Sequence, residues 1–206
     1  MGDLVEHPRL PGSLAPRDLA DRPHTWPVTD SVPRWGNDYL SVRTDRIVDP
    51  DGGDHERVVV EHDGAVGILA VDEDHRILLV EQYRHSQGAR MLELPAGILD
   101  VTGESALRAA ERELAEEGDI AAATWDELFT LAATPGYSTE RWIVWRASDL
   151  SPLAESERTD RHAEEADLLQ WWMPLDAAVR AVFDGRIADA LTVTGILAEH
   201  VRRTAP

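Results

Sequence analysis

The chain has 206 residues, 43% hydrophobic and 29% charged, which suits one ordinary globular domain whose core buries about 70% of the surface exposed on unfolding. A formal net charge of −19 speaks against a nucleic-acid partner, because such proteins gather Lys and Arg to neutralise phosphates, and no apolar run approaches the ~18 residues needed to span a bilayer, so no membrane association is expected. Cysteine is absent, which excludes disulfides and thiolate metal sites, and the N-terminus lacks the basic patch and apolar core of a secretion signal; both point to the cytoplasm.

Residues 1–30 carry Pro8, Pro11, Pro16, Pro23 and Pro27 among charges and read as an irregular N-terminal arm, leaving 31–206 for the folded domain. Tyr39–Val48 has strand character and ends at the turn Asp49-Pro50-Asp51-Gly52-Gly53; Arg57–Glu61 resumes the sheet up to a turn at Asp63-Gly64. Ala65–Val71 and Arg76–Tyr83 are apolar enough for central strands, and the polar Asp72–His75 predicts that they pair as a hairpin in the core. Gly103-Glu104 opens a helix that runs through Glu117, with Leu107, Ala110, Leu114 and Ala115 facing a sheet and Gly118-Asp119 ending it. Leu128–Ala133 and Trp142–Trp145 read as strands around a loop at 134–140, and the polar stretch 151–167 reads as a surface loop. Leu168–Met173 is then a strand, and Leu175–Phe183 and Ile187–His200 are amphipathic helices. Strands interleaved with two or three helices indicate an α/β sandwich with a mixed sheet between helices.

Within the predicted helix, Glu113, Glu116 and Glu117 call for an explanation. At about 100° per residue, Glu117 lies roughly 40° from Glu113 and Glu116 roughly 60° from it on the other side, so the three carboxylates share about a third of the circumference. Like charges one turn apart destabilise a helix, and Arg112 is the one basic residue close by in sequence. A hard divalent cation would relieve the repulsion: magnesium takes oxygen ligands, keeps several waters, and is held by one or two carboxylates together with substrate phosphates. A solvated acidic face is the bland reading of three glutamates alone. The ordered pattern around them is more specific.

That pattern is Gly97, Glu104, Arg112, Glu113, Leu114, Glu116, Glu117 and Ile120. It resembles the Nudix box, in which Gly, five residues, Glu and seven residues precede Arg-Glu-aliphatic-x-Glu-Glu-x-Gly-aliphatic. Two positions depart from it: six residues separate Gly97 from Glu104, and Asp119 stands where the family has its closing glycine, with Gly118 one place early. An extra loop residue is cheap on a surface, and a neighbouring glycine can supply a left-handed helix cap. The likeness extends from about residue 35 to about 200 through Glu81-Gln82-Tyr83-Arg84, Leu92-Glu93-Leu94-Pro95-Ala96-Gly97 and Thr134-Pro135-Gly136-Tyr137-Ser138-Thr139-Glu140, segments similar to the ADP-ribose pyrophosphatase branch.

The resemblance implies a Nudix-like α/β/α sandwich and magnesium-dependent hydrolysis, with manganese as a substitute, of the diphosphate in ADP-ribose or a related nucleoside diphosphate sugar, giving AMP and a sugar phosphate. Glu113, Glu116 and Glu117 are then the metal carboxylates, the carbonyl of Ala96 a further ligand, and Gly97 the residue of the loop turn. Glu104 either ligates metal or braces the loop, and Arg112 orients the carboxylates. In the branch a glutamate on a late loop serves as general base. That position falls in His162-Ala163-Glu164-Glu165-Ala166-Asp167, with register favouring Glu165 over Glu164, and Glu140 is the runner-up. Arginine forks match phosphate oxygens, which makes Arg57 and Arg84 the candidates for substrate contact. Members of the branch are commonly dimers, so a homodimer is expected. The contrasting reading is a Nudix-like module that senses a nucleotide metabolite without cleaving it; intact Glu113, Glu116 and Glu117 argue for the enzyme.

Overall fold

Three antiparallel strands, β1 (Val28–Gly36), β2 (Leu40–Val48) and β3 (Asp54–His62), form a meander of their own at the N-terminal side of the chain. The computed structural model describes residues 5–159, 161 and 167–205. β1 begins inside the stretch read as an irregular arm. It is an edge strand, where Pro33 is tolerated because no ladder donor is required on its open side, and the register shifts between Pro33 and Trp35.

Two further sheets build the body. One has the order β10-β5-β6, with β5 (Arg76–Arg84) between β6 (Ala89–Glu93) and β10 (Leu169–Pro174), all antiparallel. The other runs β7-β4-β9-β8, where β4 (Ala65–Ala70) pairs antiparallel with β7 (Ala96–Ile98) and parallel with β9 (Arg141–Pro152), and β9 pairs antiparallel with β8 (Ile120–Ala132). The arrangement is therefore mixed. The core hairpin expected of β4 and β5 does not form. Both edges of β4 are occupied by β7 and β9, and both edges of β5 by β6 and β10, so the two strands share only a bridge between Val71 and Ile77 and diverge into different sheets.

Strand alternation distributes the core to two faces. Val66, Ile68 and Ala70 of β4, with Leu78 of β5, pack on Ala109, Ala110 and Leu114 of α1 (Ala106–Gly118). Leu69, Ile77 and Leu79 point the other way, onto Leu175, Ala178 and Ala181 of α2 (Leu175–Phe183) and Ile196 of α3 (Ala190–Thr204). This is an α/β/α sandwich with α1 on one side and α2 and α3 on the other.

The starts of α1 and α3 follow their capping residues rather than the apolar pattern, while α2 spans Leu175–Phe183 as read from sequence. α1 begins after Ser105, whose hydroxyl accepts the Arg108 N–H at 3.3 Å, and not at Gly103-Glu104. α3 begins after Asp189, which accepts the Thr192 N–H at 2.8 Å; Ile187 is buried in the approach to it. β8 and β9 are much longer than the strands read from sequence, and β9 runs through Pro152 into the segment expected to be loop. Among the described residues no helix is long and apolar enough to cross a membrane.

Candidate active site

The box helix α1 turns its acidic side toward the segment Glu93–Ile98, and the contact is intimate. A Cβ added to Gly97 would lie 1.9 Å from Oε1 of Glu113, so the carboxylate occupies the space where any other residue would carry its side chain. The Ala96 N–H donates to Oε2 of Glu117 at 3.0 Å. Glu113 and Glu117 are both buried, 8% and 3% exposed, whereas Glu116 is half-buried. Burying carboxylates costs several kcal/mol unless they are hydrogen-bonded or paired. Here backbone and guanidinium groups meet part of that cost.

Arg112 is the main counter-charge. Its Nε and Nη2 donate to the two oxygens of Glu104 at 3.2 and 3.1 Å, while Nη1 donates to Glu113 at 2.6 Å and to Glu116 at 3.3 Å. The acidic cluster is thus better neutralised than its sequence neighbours suggest, because the guanidinium spans three carboxylates at once. The hydrogen bond to Glu104, with the charges of Glu113 and Glu104, raises the pKa of Arg112 against the opposing effect of burial. Glu104 faces Arg112 and is not among the residues that line the cleft.

The cleft beside these groups has a volume of about 510 Å³. Ala96, Gly97, Arg112, Glu113, Glu116 and Glu117 line it, together with Arg84, Glu140, Trp142, His62 and Asp189. Arg84 is clamped to Glu93, with Nε 3.0 Å from both carboxylate oxygens and Nη2 2.6 Å from Oε2, and Gln82 donates to the same oxygen at 3.2 Å. That bonding to Glu93 raises the Arg84 pKa despite burial, so the guanidinium stays charged at the cleft wall. Glu140 reaches the cleft because the 134–140 loop docks on β3, where the Val60 N–H donates to the Tyr137 carbonyl and Thr139 N–H to the Val60 carbonyl. Its Oε1 accepts the indole N–H of Trp142 at 2.8 Å and lies 3.9 Å from His62 Nδ1.

The fold therefore brings together Ala96, Gly97, Arg112, Glu113, Glu116, Glu117, Arg84 and Glu140. Arg57 is elsewhere: it is exposed on β3, its Nη1 donating to the Glu56 carbonyl, and it does not line the cleft. Glu164 and Glu165 lie outside the described residues. Sequence reasoning passed over His62, Gln82, Glu93, Trp142 and Asp189. Glu93 and Gln82 stood inside the segments that carried the resemblance, beside a proline and an arginine, and could have been singled out; His62, Trp142 and Asp189 carried no such signal.

Among the described residues no three acidic or histidine side chains are gathered closely enough to enclose an ion by themselves. The chemistry of the donors still suits a hard cation. They are all oxygen, two of the carboxylates are oriented by backbone and guanidinium, and they border a polar cleft, a donor set of the kind that suits a hard divalent cation.

At the C-terminal end of α1 the box's missing glycine is accounted for. Asp119 itself takes the left-handed conformation, φ 56°, a role that Asp performs more readily than most residues, so Gly118 does not substitute for it. Its carboxylate accepts from Arg161 at 2.7 Å and Gln170 at 3.1 Å, and the same two side chains donate to the carbonyl of Glu117 at 3.0 and 2.7 Å. Gly118 is buried against Leu78, where a Cβ would approach within 3.0 Å.

Comparison with known proteins agrees with this geometry. The family model described as NUDIX domain matches residues 61–192. The chain is 43% identical over 165 residues to the ADP-ribose pyrophosphatase of Mycobacterium tuberculosis, covering 80% of this chain and 78% of that protein. It is 31% identical over 157 residues to the methanol dehydrogenase activator of Bacillus methanolicus, covering 76% and 83% respectively. A solved structure described as an ADP compounds hydrolase superposes with a TM-score of 0.74 at 21% identity, covering 90% of this chain and 99% of that one, which shows the shared fold. With the family model spanning more than half of the chain, and the box glutamates packed on Ala96 and Gly97, the protein belongs to the Nudix family.

Proposed function

We propose that this protein is a metal-dependent hydrolase that cleaves the diphosphate of ADP-ribose, or of a closely related nucleoside diphosphate sugar, to AMP and a sugar phosphate. The observation that carries the reading is the pair of buried carboxylates, Glu113 and Glu117, pressed against Gly97 and Ala96 at the wall of a polar cleft. Similarity to the mycobacterial ADP-ribose pyrophosphatase supports the substrate.

Diphosphate hydrolysis spreads negative charge over the non-bridging oxygens as water attacks, so catalysis consists of placing positive charge and aligning the water. When bound by Glu113, Glu117 and Glu116, with the Ala96 carbonyl as a further donor, magnesium or manganese supplies charge against the diphosphate and a more acidic water. Arg112 holds the carboxylates in position. Arg84, fixed by Glu93, presents a permanent cation to the phosphates from the same cleft. Glu165 is the general base we favour, with Glu164 beside it. Glu140 is the alternative, because it already lines the cleft. A homodimer in the cytoplasm completes the proposal. Exposed Trp35 and Val58 on the β1–β3 sheet, with Tyr39 in the β1–β2 turn, support a covered face, as does an apolar groove of about 680 Å³ lined by Met91, Trp171, Trp172 and Met173 that contains none of the box carboxylates.

The test is a panel of ADP-ribose, NADH, diadenosine polyphosphates and sugar nucleotides, with magnesium or manganese, read by product identification. ADP-ribose is expected to give AMP and ribose phosphate with the highest kcat/KM. Glu113→Gln and Glu117→Gln are each expected to lower turnover by at least ~100-fold with the circular dichroism spectrum unchanged. A Glu117→Gln protein that kept near-parental turnover would remove the metal assignment. Glu165→Gln is expected to lose most turnover with little change in metal affinity; unaltered turnover transfers the base to Glu140.

A further inference from the structure

The segment Leu94-Pro95-Ala96 links β6 to β7, and these strands belong to different sheets. It has two N–H donors, since proline has none. The Ala96 N–H goes to Glu117 of the box helix. The Leu94 N–H goes, at 2.8 Å, to the hydroxyl of Thr192, in the first turn of α3 on the opposite face of the sandwich. The Pro95 carbonyl accepts the Ile68 N–H of β4 at 2.8 Å.

Thr192 is fully buried, and its hydroxyl is committed at both ends: it accepts from Leu94 and donates to Oδ2 of Asp189 at 2.7 Å, the residue that caps α3 and lines the cleft. Asp189 also accepts the Thr192 N–H, so the cap does not need the hydroxyl. Two glycines let α3 come close enough for the bond. A Cβ on Gly195 would stand 2.7 Å from Leu94 Cδ1, and one on Gly67 would stand 2.8 Å from Leu191 Cδ2.

We infer that Thr192 is a positioning residue of the metal site, holding the Leu94–Ala96 backbone in register so that Ala96 and Gly97 meet the carboxylates of Glu117 and Glu113. Resting on the function proposed above, the inference extends the site to a helix outside the box. Without the hydroxyl, the buried Leu94 N–H has no acceptor, and the linker moves to find one. Such a movement changes how Ala96 and Gly97 meet the acidic face of α1.

The experiment is titration calorimetry of Mn²⁺ alone into the parent protein and into Thr192→Val, which keeps the shape and removes the hydroxyl. Thr192→Ala is a second carrier of the same loss if the valine protein does not fold. Thr192→Val is expected to bind Mn²⁺ about tenfold more weakly and to need proportionately more Mg²⁺ for half-maximal hydrolysis, the size of effect seen when groups that orient metal ligands are removed. Thr192→Ser is expected to restore both values to within about twofold, because it returns the acceptor. Parental Mn²⁺ affinity in Thr192→Val, with only a lower Tm, overturns the inference while leaving the proposed function intact. A parent protein that binds no Mn²⁺ overturns both.

Discussion

A methyl group on residue 97 would collide with the carboxylate of Glu113, 1.9 Å from Oε1 and 2.0 Å from Cδ, and the outcome depends on which partner yields. The backbone of residue 97 is fixed in β7, whereas the glutamate end is a flexible arm. Gly97→Ala is therefore expected to displace Glu113 rather than to unfold the protein. Its kcat/KM should drop by roughly 100-fold, about 2.7 kcal/mol at 1.36 kcal/mol per decade, with Tm nearly unchanged. Steady-state kinetics beside a thermal melt check this; a large Tm loss with kinetics preserved in the folded fraction would mean that the glycine serves only packing. The reason for this glycine was not legible in sequence, where it is one position of a pattern. Its neighbour in space, sixteen residues along, is what demands the absence of a side chain. Arg112 teaches the same point, since three carboxylates converge on it and two of them come from its own helix while Glu104 comes from the preceding loop.

At the scale of the element, α1 ends on a non-glycine left-handed residue, and two devices keep it there: the tolerance of aspartate for that conformation and the anchoring of its carboxylate by Arg161 and Gln170. Asp119→Ala loses both. Asp119→Gly loses the anchor but relieves the strain. The alanine variant is expected to be less stable than the glycine variant by about 1 kcal/mol, or ~2–4 °C in Tm for a chain of this size. Equal melting temperatures would show that the anchor alone matters. The starts of α1 and α3 were read too early, because Ser105 and Asp189, by accepting amide protons, decide where the first turns close, whereas α2 coincides with its apolar run. Strand extent was read short in β8 and β9. Their outer halves, such as Ala121–Ala123 and Ala147–Asp149, have little strand character, and each is held by pairing with the other.

Across the molecule, α3 is tied to β9 and β8 by charge as well as by apolar packing. Glu199 of α3 is fully buried and accepts two hydrogen bonds of 2.7 Å from Arg202, with Arg146 of β9 at 3.4 Å and Asp126 of β8 beyond it. Burial raises its pKa, but the bonds from Arg202 and the charges of Arg146 and Arg202 outweigh burial and leave it below the ordinary glutamate value. A group depressed in the folded state stabilises fully above its unfolded pKa, and that contribution is lost as pH falls through the folded one. Glu199→Gln is therefore expected to cost about 3 kcal/mol near neutrality, the lower end for breaking a buried pair because Arg202 can turn to solvent. The Tm gap between parent and variant should narrow as pH drops below the ordinary glutamate range. A gap that stays constant through that range would place the stabilisation in packing rather than in the ionised carboxylate.

Local chemistry was readable without coordinates wherever a residue's role depends on near neighbours in the chain. One-turn spacing puts Glu113, Glu116 and Glu117 on one side of α1, continuous apolar runs mark β4 and β5 as buried, and the ordered box identifies the family. Partnership across the chain was not. Whether β4 and β5 pair depends on which strands occupy their edges, and a hydrogen-bonding edge accepts one neighbour only, so β7, β9, β6 and β10 exclude the hairpin that chain proximity favours. The same physics brings Glu140, Arg84 and Asp189 to one cleft and leaves Arg57 outside it. Side-chain type and spacing specify what a segment can do, but edge pairing and close packing between segments distant in sequence decide which of those capacities meet.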